Sequence, residues 1–388
     1  MRSALQWGGV LAASAAIIGC DRSGQGAADK EATFSEETSE SIADIEHLKH
    51  PPADPRAALE AALAAGELTN TGDTRAFLRQ TLEIAGVPQA SQVLVFSKTS
   101  LQSPLINPSN PRAIYFSDDF YVGYVPGGII EISDTDPDEG TGFYALDPRS
   151  TAQRITLDEP VTCLNCHSGA RTNYAAGLLV RSVYPDAEGF PITSAGSFVT
   201  GHESPLEERW GGWYVTGHHG AMRHMGNTIG KDLGNNAEFH TEPGANLPTL
   251  EGIISTGRYL EAGSDIVALM VLEHQVPMHN HLTQGSMSVR QQTFRSQRVA
   301  ESGGGTFDPH ESATLMSLVN NVSGRIVKHM LFVDEHPLTD AVSGDRAFVR
   351  QFRANRREAD DGRSLKDLDM QTRLFRYRCS YMVYARAF

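Results

Sequence analysis

The spacing of hydrophobic positions changes twice along this chain. Arg56 to Ala65 is alanine-rich and closes at Gly66, which predicts a short helix ended by glycine. From Thr74 to Ala85, the positions of Phe77, Leu78, Leu82 and Ile84 fall near a helical period. Asp73 stands where an N-cap is needed, and Gly86-Val87-Pro88 stops the run. The pattern then shortens. Val93 to Phe96, Ala113 to Phe116, Tyr121 to Val125, Gly128 to Ile132 and Gly142 to Leu146 are β-branched or aromatic runs. Pro, Asn, Asp and Gly separate them, which predicts a series of hairpins with Arg154 to Leu157 as a last strand.

Past residue 167 the chain turns irregular and glycine-rich as far as about Gly257. Only Leu178 to Tyr184 and Trp213 to Thr216 read as strands there. So long a stretch without regular structure is usually functional, or wrapped around something large. Helical spacing returns at Asp265 to His281, where Ile266, Leu269, Met270, Leu272 and Val276 are available for burial and Pro277 predicts a kink. Residues 310–333 carry a second stripe: Leu315, Leu318, Val319, Val322 and Ile326. Leu374 to Tyr384 is aromatic and arginine-rich, which predicts that the end of the chain docks on the body, with Cys379 as a buried thiol. No internal repeat is evident. The expected class is α+β, with a β-rich block at about 90–158 and a region of long loops followed by helices at about 159–388.

The start of the chain reads as an address. Met1-Arg2 is a short positive region, and Leu5 to Ile18 is apolar but too short to span a bilayer comfortably, as in a signal peptide. It ends in Gly19-Cys20, a pattern similar to a bacterial lipobox, which implies cleavage after residue 19 and acylation of Cys20. Asp21 favours the inner membrane. Residues 20–55 are polar and cannot offset their ordering entropy by burial, so they are expected to be a flexible tether, stiffened by Pro51, Pro52 and Pro55. The body is then 56–388, tethered on the periplasmic side of a membrane. A net charge of -14 argues against nucleic acid and favours a basic redox partner.

Candidate chemistry sits in the middle of the body. Cys163-Leu164-Asn165-Cys166-His167 has the spacing of a c-type haem attachment motif. One helical turn brings both thiols to one edge of a porphyrin, and the following imidazole can bind iron from below as proximal ligand. A zinc half-site would need a second ligand pair, and the only other cysteines are Cys20 and Cys379. A redox CxxC has no need of the histidine. The distal iron position has two candidate sources. One is the segment holding His219, Met222, His224 and Met225; the other holds His274 and His279, with Met270, His274, Met278 and His281 sharing a helix face. Arg171, Arg181, Arg209 and Arg223 are candidates for the haem propionates.

Ala113 to Gly128, Cys163 to His167, Leu179 to Asp186, His202 to Asn227, Met270 to Asn280, Leu331 to Glu335 and Gly362 to Tyr384 together resemble a group of exported bacterial cytochrome c domain-containing proteins with a single CxxCH. That resemblance covers most of the body. It implies one covalent haem c, its iron, an exported location and redox activity, and it names no substrate. Members often continue past the position of Phe388, which implies that this chain ends early. The leading expectation is a membrane-tethered monohaem electron carrier. The body is about three times the size of a bare monohaem carrier, which motivates a haem enzyme (peroxidase-like, or acting on a small inorganic substrate) as the alternative, and a haem-based sensor or scaffold as a third.

Overall fold

The computed structural model describes residues 54–387 apart from 71, 137–138, 150–155, 173 and 233–236. The signal peptide, Cys20, Asp21, nearly all of the tether, and Arg154 of the last strand candidate lie outside these residues. Helix α1 covers Asp54–Ala65 and α2 covers Thr74–Ile84, so the chain is already helical at the last two positions assigned to the tether. Asp73 caps α2 as its side chain predicts, accepting from the backbone N–H of Arg75 and Ala76 at 2.9 and 3.1 Å. Phe77, Leu78 and Leu82 are buried along one stripe.

Five strands follow as an antiparallel meander: β1 (Val93–Val95), β2 (Arg112–Phe116), β3 (Phe120–Tyr124), β4 (Ile130–Asp136) and β5 (Gly140–Leu146). The candidate strand after β5 is not one where it can be seen. Leu157 lies in no strand, and Asp158 only exchanges two backbone hydrogen bonds with Ala145, at 2.8 and 3.0 Å. The motif forms a short turn, α3 (Leu164–His167). Next come the two-stranded ribbon of β6 (Arg181–Val183) and β7 (Ser197–Val199), then β8 (Trp213–Tyr214). β8 returns to pair with β1, giving a six-stranded sheet in the order β5-β4-β3-β2-β1-β8. A further small ribbon joins β9 (Lys231–Asp232) to β10 (Ala237–Glu238). The architecture is α+β.

Alternation along the strands divides the core. Leu94, Tyr115, Val122, Ile130, Ile132 and Leu146 face α1 and α2 and pack with Leu59, Phe77 and Leu82. Val93, Val95, Phe116 and Tyr121 face the other way, onto helix α4 (Ile266–Ser302). Each apolar side chain buried in this way contributes about 1.5–3 kcal/mol relative to exposure.

α4 is the longest element, at 37 residues, and it runs well past His281, with Pro277 inside it. From Ile266 to Val276 it is buried on every side, whereas most residues beyond Leu282 are only half-buried. The distal half reads as polar sequence because it needs just a narrow contact. There Gly285 lets Val322 of α5 (Ala313–Met330) approach, and a Cβ at Gly285 would lie 2.4 Å from Val322 Cγ1. Helix α6 (Arg346–Phe352) spans only seven residues, too few to display a period, and buries Phe348 and Phe352. The end of the chain docks as expected: Leu374, Phe375, Tyr381 and Met382 are buried in the α4 core. Cys379 departs from expectation. It is half-buried, because the segment runs along the surface with Ser380 turned inward in its place.

Candidate haem-attachment site

A 3-10 turn at Val161–Cys163 flows straight into α3. Cys163 is already in the right-handed helical conformation, at φ -62° and ψ -37°. Cys163 and Cys166, three residues apart on one continuous turn, therefore share a side. Both thiols are free; Cys166 is exposed and Cys163 half-buried. Burial, with Glu131 nearby, pushes the Cys163 thiol up to about 11. Redox-active CxxC pairs work through a thiol shifted the opposite way, so the redox reading loses support here.

His167 is held in one tautomer. Its Nδ1 lies 2.8 Å from the carbonyl oxygen of Gly177, which can only accept, so Nδ1 carries the proton and Nε2 keeps its lone pair. Burial, with Arg112 nearby, keeps the ring below the ordinary histidine value, hence neutral at pH 7. One face packs on Phe143 of β5, at 4.6 Å between ring centroids. Gly177 in turn donates its N–H to the His167 carbonyl at 2.9 Å. The chain after Gly177 is pinned by Asn280 of α4, which accepts from Leu178 N at 2.9 Å and donates to Leu178 O at 2.7 Å. A Cβ on Gly177 would stand 2.5 Å from Asn280 Oδ1, so glycine is what lets these parts meet. Neither Gly177 nor Asn280 stood out in the sequence as a site residue. Their role depends on a contact across about a hundred residues of chain.

No protein-family model, no curated protein and no solved structure matches the chain.

On the sheet, Arg112 of β2 passes over Gly123 of β3 to pair with Glu131 of β4, beside Cys163 and His167. Arg181 opens β6, where burial and the nearby like charge of Arg171 lower it. Its Nη2 reaches Ser197 Oγ at 3.1 Å, while its buried Nε has no partner. Two like charges and an idle guanidinium nitrogen make a place for carboxylates. The remaining two candidate arginines are committed elsewhere. Arg209 is buried against Glu273 at 3.2 Å, and Arg223 pairs with Glu242 at the surface at 2.7 Å. A haem would be held here by Cys163 and Cys166 through thioethers and by His167 as an iron ligand, with Arg171 and Arg181 as the candidate arginines not paired with Glu273 or Glu242.

Of the six distal candidates, three histidines have both ring nitrogens engaged. His219 donates from Nδ1 to Met222 O at 2.8 Å and accepts on Nε2 from Asn246 N at 2.9 Å. His279 lies between Tyr121 Oη at 2.8 Å and Asp119 Oδ1 at 3.3 Å. His274 meets His202 Nδ1 at 2.9 Å and Ser380 Oγ at 2.6 Å. On the face it shares with Met270, Met278 and His281, the two methionines are buried and His281 is half-buried. Met222 is buried, and Met225 accepts weakly from Ser182 of β6 at 3.5 Å. His224 differs from the others. It is only 3% exposed, packs on Trp210 and His219, and neither ring nitrogen has a partner. Burial pushes it down to about 3. Met225 and His224 belong to the segment packed along β6.

Proposed function

We propose that the chain is an exported, membrane-tethered monohaem c-type cytochrome that passes electrons on the periplasmic side, anchored through Cys20. A bound haem iron supplies reversible one-electron chemistry. The protein's share is to hold the group and set its surroundings. Cys163 and Cys166 fix its edge, and His167 offers Nε2. Gly177 holds the imidazole in that tautomer and makes it a better donor, as outer hydrogen bonds do for metal-bound histidines generally. Arg171 and Arg181 neutralise carboxylates. The observation that carries this reading is the His167 Nδ1–Gly177 hydrogen bond, which a redox or structural CxxC would not require. The acidic surface favours a basic redox partner.

A second reading is favoured by the engaged nitrogens of His219, His274 and His279. With these spent, a distal side left open would suit a haem enzyme acting on a small molecule. The visible spectra of the ferric and ferrous protein, with and without carbon monoxide, separate the two. A low-spin spectrum unmoved by ligand supports the carrier, whereas a high-spin, ligand-binding one supports the enzyme. His167→Ala is expected to lose the proximal ligation. An unchanged spectrum in that variant refutes the proximal assignment, and protein made beside a haem-attachment system without covalent haem refutes both readings.

A further inference from the structure

His202, His274 and His329 come from a loop, the buried half of α4 and the last turn of α5, and they converge in the interior. One nitrogen from each ring lies within 4.8 Å of the others, and the Nδ1 atoms of His202 and His274 stand 2.9 Å apart. Their outer faces are tied to oxygen. His274 Nε2 meets Ser380 Oγ at 2.6 Å, His329 Nε2 donates to the His274 carbonyl at 2.8 Å, and the Val333 backbone holds His202. In the tautomers that donate outward, the lone pairs point inward, as on metal-bound imidazoles whose other N–H is held by an oxygen. Burial pushes His202 down to about 2 and lowers His274 and His329 as well, so all three present neutral rings.

From these positions we infer a second metal centre, separate from the haem motif: His202, His274 and His329 bind one divalent transition ion of the zinc or copper class. Imidazole nitrogens suit those ions, and three histidines leave a fourth position for water or another small ligand. Bonds of about 2.0–2.1 Å at tetrahedral angles put ligand nitrogens about 3.3 Å apart. The observed spacings bracket that value. Phe332, Phe375 and Tyr381 pack around His274 and keep the site dry. Half-buried His281, with its ring 5.3 Å from that of His329, marks the side open to solvent. Buried Arg209 donates to the His202 carbonyl at 2.9 Å, and its charge is balanced by Glu273.

The full chain, purified after growth with added zinc or copper and dialysed into metal-free buffer, is measured for those metals beside haem iron. About one equivalent of zinc or copper is expected, with X-ray absorption giving three imidazole nitrogens at about 2.0 Å. His202→Ala/His329→Ala is expected to hold less than a tenth of an equivalent while keeping its haem iron. If that pair does not fold, Ser380→Ala, which frees the outer side of His274 and also removes the cap on Met382 N, is expected to weaken zinc affinity about 10- to 100-fold. The inference is overturned if wild type, stripped with chelator and reloaded with zinc chloride or copper sulfate, retains less than a tenth of an equivalent. The three rings would then be joined by a shared proton, with Ser380 donating to His274. Unaltered zinc affinity in Ser380→Ala overturns it too. Haem iron is counted separately, so failure of the haem reading leaves this result standing.

Discussion

Gly177→Ala tests the link between α4 and His167. No positive φ is recorded at Gly177, so alanine brings no backbone strain there; its only conflict is the 2.5 Å approach of the new Cβ to Asn280 Oδ1. Asn280 has to swing away, and both of its bonds to Leu178 go with it. Two hydrogen bonds at about 1 kcal/mol each put the loss near 2 kcal/mol. Asn280→Ala removes the same two bonds and should cost a similar amount. The double variant has no clash left to relieve, so it too should lose about 2 kcal/mol rather than 4, giving a coupling of about 2 kcal/mol. Urea unfolding followed by circular dichroism measures the four stabilities, and visible spectra report whether the His167 ligation shifts in step. Additive losses, with a coupling below about 0.5 kcal/mol, would refute the claim that Asn280 is what Gly177 makes room for.

Two further outcomes follow from buried charge. Glu273→Ala strands Arg209 where its side chain is 4% exposed, and should cost about 3–5 kcal/mol in urea unfolding; Glu273→Gln, which keeps the Thr200 contact, should cost less. Burial raises Asp134 to about 6, above its ordinary carboxylate value, so the folded state binds this proton more tightly than the unfolded chain. Stability attached to that proton is present below about pH 4 and is lost as pH rises towards 6. Asp134→Asn should therefore gain on wild type by up to about 3 kcal/mol between pH 4 and 7, and a difference that stays flat across that range would rule the account out.

Much of the framework was legible because it is local. Asp73 and the stripe behind it, the five β runs of the meander, and the buried start of α4 each signal themselves within a dozen residues. The extension of α4 past His281 escaped notice because a helix that buries one narrow strip carries almost no hydrophobic period. The candidate site was legible only where it is local in sequence. Cys163, Cys166 and His167 are contiguous, whereas Gly177 with Asn280, and His202 with His274 and His329, meet only through the tertiary fold. The histidines of the distal clusters were visible as residue types, but their hydrogen-bond partners lie in other elements. Asp119, Asn246 and Ser380 decide which nitrogens are taken.

The return of β8 to the flank of β1 has a consequence for how this chain comes to be folded. Val95 and Trp213 are register partners separated by roughly 120 residues, a closure that costs about 4 kcal/mol in loop entropy before any contact repays it. The meander from β1 to β5 is contiguous and can assemble as soon as it emerges. Until Trp213 follows, β1 is its unpaired border, and all three residues of β1 are apolar. Such a border invites pairing with another chain. As the chain emerges, the interval between the arrival of residue 146 and that of residue 213 is therefore when this protein is most exposed to aggregation, and a product cut short within it would carry that border permanently.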